Sequence, residues 1–460
     1  MEMFDVVVLG AGTAGENIAE KLIAGGKTVA LIEAARIGGE CPFVACMPSK
    51  ALLRSAHVRQ LLPRLEELGA AVAPYDPHDG AAAYAVAVQR RDSLSEDRDD
   101  TEHATSAEEK GITLARGRGR VTAPGVVTVD GRELGYRDLV VATGSQPIRP
   151  PIEGLETVPT CTSDEALSSY KRPVSLLVMG GGAVGCELAQ AFVAFGCAVT
   201  LVEVAPSLLP DQEPEFGRIL ADALRESGVE VRLGRQVTRV EAAPDGATVT
   251  LDDGTTVTVA RILLATGRRP TVQDIGFEIL GIHCSDKGIE TDEHLRVRGQ
   301  LHVWAAGDVT GDKPYTHTAN YQAGVVAANL LGGEDTVDYH AIPDAIYTAP
   351  EYAAVGLTLS QARKAGHDAV SAAVDLRETG RGETEGIHAG RLNLVADRHR
   401  RVLLGAAIIG PYAAEWIAEA ILAVQAGVPL DALARVVHPF PTFGGAYEVA
   451  LQEILGQLDG

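Results

Sequence analysis

DVVVLGAGTAGENIAEKLIAGGKTVALIE, residues Asp5 to Glu33, passes from an apolar strand through G-x-G-x-x-G into a helix, a glycine turn, a second apolar strand and an acid. SLLVMGGGAVGCELAQAFVAFGCAVTLVE, Ser175 to Glu203, repeats that order, and in both copies the acid follows the third glycine by 18 positions. A single glycine run of this kind is a weak signal. Two inside complete strand-turn-helix-strand-acid units predict two doubly wound α/β domains, each binding a dinucleotide. Gly10, Gly12 and Gly15, and again Gly180, Gly182 and Gly185, let the backbone approach a pyrophosphate at the positive end of a helix. Glu33 and Glu203 then accept from ribose hydroxyls.

Working outward, DLVVATGSQP and RILLATGRRP are apolar strands that leave the two units at equivalent points. VWAAGDVTG, Val303 to Gly311, is a third strand-to-turn element, and its Asp308 is placed to meet a flavin's sugar or phosphate chain. Between the repeats, Leu53 to Glu109 reads as mostly helical, broken around APYDPHDG, and RRDSLSEDRDDTEHATSAEEK reads as a solvated helix face. From about Asp338 onward mixed strands and helices carry no phosphate-binding loop, so this part reads as a separate module. A chain of 460 residues has room for about three domains.

Acidic residues outnumber basic ones by 62 to 40, a net charge of −22, and no Lys/Arg cluster is long enough to track a phosphate backbone. Nucleic acid is therefore not an expected partner. The N-terminal MEMFDVVVLGAG has no basic region or cleavage site, and no uncharged apolar run has membrane-spanning length. A cytoplasmic protein without a membrane partner is expected. Six cysteines are too few for a secreted disulfide framework. Cys161, Cys186, Cys197 and Cys284 are scattered singly and read as small core residues.

Cys41 and Cys46 differ, because GGECPFVACMPSK sets them with four residues between them just ahead of a helix begun by Pro48. The partial positive charge at a helix N-terminus stabilises a thiolate, as thiol-disulfide exchange or charge transfer to a flavin requires. The alternatives are two reduced cysteines or a metal site. The spacing is wider than the usual zinc pair and no companion Cys/His pair is evident, so no metal is expected.

The ordered set GAGTAG with Glu33, GGECPFVACMPSK, ATGSQP, GGGAVGCE with Glu203, ATGRRP, AAGDV, THTANYQAG and APEYAAVGLT resembles the pyridine nucleotide-disulfide oxidoreductases over essentially the whole chain. That group includes dihydrolipoamide dehydrogenase, glutathione reductase and mercuric reductase. The resemblance implies an FAD domain at 1–148, an NAD(P)H domain at 149–267, a return to the FAD domain at 268–337 and a C-terminal α+β dimerisation domain at 338–460. It implies that Gly10, Gly12, Gly15 and Glu33 hold the adenosine half of FAD and Asp308 the other half. Gly180, Gly182, Gly185 and Glu203 would hold the nicotinamide dinucleotide, and Thr143, Gly144, Gly267 and Gly307 would line the cofactor sites. Lys50 and Glu187 match an ion pair beside the flavin ring, Cys46 the thiol nearest the flavin and Cys41 the thiol that exchanges with substrate. Glu203 at its strand end repels a 2′-phosphate, and EVAPSLLP offers no nearby arginine, so NADH is expected rather than NADPH.

One departure stands out. In the family a stretch like H-x-H-P-T-x-x-E supplies an acid-base His and the Glu that orients it, both reaching the other subunit's cysteines in a homodimer. Aligned on Pro441 and Thr442, HPFPTFGGAYE puts Phe440 at the His and Gly445 at the Glu. Loss of general acid-base catalysis costs typically 10² to 10⁴ in rate. His438 lies two positions earlier and would need a rearrangement to take the role. Glu448 and Tyr447 read as solvent-facing or capping residues. Phe440 resembles the replacement in ketopropyl-coenzyme M oxidoreductase/carboxylase, although Gly445 does not reproduce that enzyme's partner histidine. No cysteine follows Cys284, against mercuric-ion reduction through a C-terminal cysteine pair. The expected function is FAD-dependent reduction, by NADH, of an unusual small sulfur substrate. The alternatives are a quinone or metal-ion diaphorase, a conventional disulfide reductase rescued by His438, or a flavin-holding sensor without turnover.

Overall fold

The computed structural model describes residues 1–65 and 80–459. The break around APYDPHDG lies, apart from Gly80, outside the described residues. Two compact units emerge, one built from Met1–Ser49, Gln89–Arg149 and Gly267–Asp338, the other from Lys50–Val88, Pro150–Thr266 and Tyr339–Gly460.

The first unit holds a seven-stranded sheet. Thr113–Arg116, Val29–Glu33, Glu2–Leu9 and Arg132–Val141 run parallel in that order, Val303–Ala305 adds a further parallel strand to Arg132–Val141, and Val126–Val129 and Arg120–Ala123 continue antiparallel. Val7 and Leu9 join one buried cluster while Val6 and Val8 join another. Burial on both faces is why the opening strand is apolar without alternation. The crossover helix Thr13–Ala24 buries Ala14, Gly15, Ile18, Ala19 and Leu22, an i, i+4, i+8 stripe.

The second unit repeats the theme. Glu230–Leu233, Ala198–Glu203, Ser175–Met179, Arg261–Leu264 and Thr160–Cys161 form a parallel five-stranded sheet. Leu176 and Val178 enter one cluster, Leu177 and Met179 another. A three-stranded antiparallel meander, Val237–Ala243, Gly246–Leu251 and Thr256–Val259, accompanies it. The C-terminal part is an antiparallel five-stranded sheet in the order Asp344–Ile346, Glu351–Gly356, Val402–Gly410, Arg391–Asp397, Ala369–Asp375. The helix Gly445–Asp459 packs on it through Tyr447, Ala450, Leu451 and Ile454. The architecture is the expected one: two doubly wound α/β parts and a C-terminal α+β part.

The charged run after Gln89 is only partly a solvated face. Glu102, Glu108 and Glu109 are exposed on the helix Thr101–Glu109, but Arg91, Asp92 and Ser95 are buried. Arg91 Nε donates to Asp92 Oδ1 at 2.7 Å and Arg98 Nη1 to the same oxygen at 2.8 Å. Two guanidiniums on one carboxylate let charge be buried without being left uncompensated, which composition alone does not reveal. Of the single cysteines, Cys161, Cys186 and Cys197 are buried and Cys284 is partly so. Burial pushes the Cys197 thiol up to about 12, so it stays protonated and inert. Among the described residues no helix is long and apolar enough to cross a membrane.

Candidate active site

Both glycine turns obey the same steric rules. Gly10 and Gly180 have φ of +98° and +108°, and a Cβ on either would run into the carbonyl oxygen of Ala142 or Ala265, the first residues of the two A-T-G exits. A Cβ on Gly15 or Gly185 would overlap the carbonyl oxygen of Gly10 or Gly180. The middle glycines instead leave space: Gly182 faces nothing within 4 Å, and Gly12 only the Cα of Gly39 at 4.0 Å. An opening that a side chain would fill, at the N-terminus of a helix with unsatisfied amides, fits a pyrophosphate in both places.

The two acids are held alike. Glu33 accepts from the amides of Ala11 at 2.7 Å and Ala35 at 2.6 Å; Glu203 accepts from Gly181 at 2.6 Å and Ala205 at 2.7 Å. Each carboxylate thus braces its own turn, and its oxygens keep lone pairs for a ribose hydroxyl.

Around Asp308 the structure supplies partners that sequence reading missed. Ser145 Oγ donates to Asp308 Oδ2 at 2.6 Å, and Arg268 donates to Ser145 Oγ at 2.7 Å and to Glu40 Oε2 at 2.7 Å. Ser145 and Arg268 follow the two A-T-G turns directly, a signal available in the motif tails. Thr143 Oγ1 donates to the Thr271 carbonyl at 2.7 Å, the Gly144 carbonyl accepts from Thr271 N at 2.9 Å, and the Gly267 carbonyl accepts from Ile148 N at 3.0 Å. Gly307 N donates to the buried Gln322 Oε1 at 2.6 Å. Ser145, Arg268, Lys287, Asp308 and Asp312 line a cleft of about 620 Å³, roomy enough for part of a cofactor.

The helix after the cysteine loop starts at Cys46 and runs to Leu61, so Pro48 is its third residue rather than its first. Met47 N donates to the Cys41 carbonyl at 3.0 Å, folding the loop back on that helix start. Thr316 Oγ1, on the first residue of the helix Thr316–Leu330, lies 3.4 Å from Cys41 Sγ and 3.4 Å from Cys46 Sγ. The two sulfurs therefore share one hydroxyl. The loop is braced from behind: a Cβ on Gly39 would come within 2.6 Å of Gly12 Cα, and Phe43 is fully buried, its ring edge-on to His103 at 5.4 Å. Ile37 N donates to Asp100 Oδ2 at 2.7 Å. The Arg116 guanidinium holds the Asp100 carboxyl below the usual carboxylate range, against the opposing effect of burial.

Lys50 Nζ meets Glu187 Oε2 at 2.9 Å, as expected, and lies over the Tyr347 ring at 4.8 Å from its centre. Glu187 Oε1 accepts from Tyr347 N at 2.9 Å, so both carboxylate oxygens are engaged. Tyr347 is a further residue that spacing did not point to.

At the C-terminal stretch, Phe440 is 90 % exposed. The side chain of His438 is 11 % exposed, with Nε2 at 2.8 Å from Glu419 Oε2 and its ring stacked on Tyr447. Tyr447 is buried, not solvent-facing, and donates to the Trp416 carbonyl at 3.3 Å. Its aromatic neighbour Trp416, itself stacked on Phe443, explains why a tyrosine at that helix position turns inward. Glu448 is exposed, as expected, and Gly445 opens the helix with nothing beside it.

Residues 4–324 match the pyridine nucleotide-disulphide oxidoreductase family, and residues 342–451 match that family's dimerisation domain. The chain belongs to the pyridine nucleotide-disulphide oxidoreductases. This family binds FAD and uses pyridine nucleotides, and its members are flavin-dependent NAD(P)H disulfide oxidoreductases. A dihydrolipoyl dehydrogenase of Thermus scotoductus is 33 % identical over 463 residues, covering 98 % of this chain and 97 % of its own. A mercuric reductase of Streptomyces lividans is 32 % identical, covering 98 % and 96 %. Among solved structures, the Cu(II) complex of the HOCl-induced flavoprotein disulfide reductase RclA from Escherichia coli superposes with a TM-score of 0.87 at 25 % identity, over 99 % of this chain and all of that one. In this oxidoreductase chain one basic residue reaches the end of the second acid strand from outside EVAPSLLP: Arg235 N donates to the Glu203 carbonyl at 3.0 Å, while its guanidinium is held by Asp253 at 2.8 Å.

Proposed function

We propose that this chain is a homodimeric, FAD-dependent NADH oxidoreductase in which Cys41 and Cys46 form the redox-active pair. Cys41 acts on a small sulfur substrate, a disulfide, thioether or electrophilic sulfur compound, without the family's His–Glu acid-base pair. Bound FAD would supply the passage of two electrons from the nicotinamide dinucleotide to the sulfurs. Gly10, Gly12, Gly15, Glu33, Ser145 and Asp308 would hold FAD, and Gly180, Gly182, Gly185 and Glu203 the dinucleotide. Lys50, fixed by Glu187 and Tyr347, would supply a positive charge to a reduced flavin. NADH rather than NADPH is favoured because Glu203 ends its strand as a carboxylate and the guanidinium of Arg235, whose backbone reaches that strand end, is paired with Asp253.

The observation that carries the reading is the contrast at residues 438 and 440. Phe440 projects from the dimerisation domain, available to a second copy, whereas His438 is turned inward and spent on Glu419. Phenylalanine excludes water and exchanges no proton, so the thiolate must act on a substrate whose chemistry needs no imidazole proton.

A second reading, electron delivery to quinones or metal ions, is favoured by the likeness to RclA, whose structure is a Cu(II) complex. One experiment separates the two. Anaerobic titration with NADH is expected to raise a long-wavelength thiolate–flavin band, and Cys46→Ser is expected to abolish both the band and turnover of sulfur substrates. Full quinone reductase activity in Cys46→Ser, without sulfur turnover in the unaltered protein, establishes the second reading instead.

A further inference from the structure

We propose that Thr316 is a catalytic residue whose hydroxyl relays a proton between the two cysteine sulfurs, doing within one subunit part of what an imidazole would do from another. The proposal rests on the reading of Cys41 and Cys46 as the redox pair. Its foundation is geometric: Thr316 Oγ1 is 3.4 Å from each sulfur, within the range of hydrogen bonds involving S–H or thiolate. A hydroxyl carries one proton and can accept as well as donate. Between one thiol and one thiolate it accepts from the first and donates to the second.

Two arrangements of the half-protonated dithiol follow, one with the charge on Cys41 and one with the charge on Cys46. In passing between them, the proton of Cys41 Sγ bonds to Thr316 Oγ1 as the Oγ1 proton bonds to Cys46 Sγ. No electron pair enters or leaves, and the threonine ends as it began. Charge is thereby delivered to Cys41 for attack on substrate or to Cys46, the sulfur read as nearest the flavin, without a proton crossing to solvent. A hydrogen bond to the charged form favours it, so the same hydroxyl raises the thiolate population at neutral pH.

The setting suits the role. Thr316 opens a 15-residue helix, so its backbone is fixed, and its branched side chain has few rotamers with which to leave the sulfurs. The neighbouring ionisable groups are otherwise engaged: Glu40, before Cys41, receives Arg268 at 2.7 Å, and the His317 ring stacks on Tyr315 at 5.1 Å.

The test compares Thr316→Val, which keeps the shape and removes the hydroxyl, with Thr316→Ser, which keeps the hydroxyl. Reduced holoenzyme is alkylated with iodoacetamide across pH 5 to 10, Cys41 and Cys46 are read separately by peptide mass, and the thiolate–flavin band is followed over the same range. Thr316→Val is expected to move the midpoints of alkylation and of the band up by about one pH unit, slowing alkylation at pH 7 roughly tenfold, while Thr316→Ser tracks the unaltered protein. Unchanged midpoints in the valine variant overturn the proposal. So does a serine variant that behaves like valine, since packing of the methyl would then be the cause. These readouts need no substrate, so a Cys46→Ser protein that still turns over would sink the proposed function and leave this test standing.

Discussion

At position 440 the proposed function turns on a single side chain. Phe440 is exposed and carries no proton, and Gly445 supplies nothing to orient a base. His438 cannot swing into the role cheaply, because its Nε2 contact with Glu419 and its stack on Tyr447 would both be lost. A Phe440→His/Gly445→Glu double variant is therefore expected to gain disulfide reductase turnover with lipoamide or glutathione by about a hundredfold, the lower end of general acid-base contributions. Steady-state NADH oxidation against each disulfide is the measurement. No gain in a folded, flavin-loaded double variant would mean that the missing pair is not what limits disulfide turnover. Phe440 was visible in the sequence as a departure from a motif. That His438 is pinned was not visible, because Glu419 lies 19 positions away on the helix Ala418–Ala426.

At the level of the turn and helix, the two glycine motifs behave as one device used twice. The first and third glycines are excluded from change by backbone carbonyls, while Gly182 faces open space. Gly182→Val should thus fold, because its Cβ meets no protein atom, yet fill the opening over the helix Ala183–Ala194. Its expected signature is an NADH Kd raised at least tenfold with unchanged Tm and flavin content, read by titration and thermal melting; a Kd equal to that of the unaltered protein would place the dinucleotide elsewhere. Gly185→Val should behave oppositely, disrupting the fold through overlap with Gly180. A cysteine loop leading into a helix follows from local spacing, although that helix begins at Cys46 and not at Pro48. The bracing of that loop by Gly12, His103 and Asp100 does not, because each of those contacts joins distant segments.

For the molecule as a whole, acid is the expected point of weakness. Asp100, held down first by Arg116, and Asp375, held down first by Arg377, have carboxyls below the ordinary value. Asp397 is also lowered, since hydrogen bonds from Arg400 N, His367 and His399 N outweigh the upward push of its burial. A carboxyl depressed in the folded state contributes stability above its unfolded value, near pH 4, and loses it as pH falls through the folded value. The net charge of −22 acts the other way down to the isoelectric region near 5.0, where self-repulsion is relieved. Tm is accordingly expected to hold or rise slightly from pH 7 to 5 and to fall steeply below about pH 4; a Tm still level at pH 3 would show that these pairs contribute nothing.

Residue order alone determined the two dinucleotide-binding units, the acids that end their second strands, the spacing of Cys41 and Cys46 and the phenylalanine at 440, because each is a demand on local backbone geometry or on chemistry at short spacing. Glycine spacing dictates a turn wherever it occurs, and a phenylalanine carries no proton in any fold. Tertiary structure alone decided that Arg91 and Asp92 are buried together, that Tyr347 completes the Lys50–Glu187 pair, that Glu419 takes His438, and that Thr316 stands between sulfurs some 275 positions distant in the chain. Such contacts depend on which faces pack against one another, and packing joins residues whose separation along the chain carries no periodic signal.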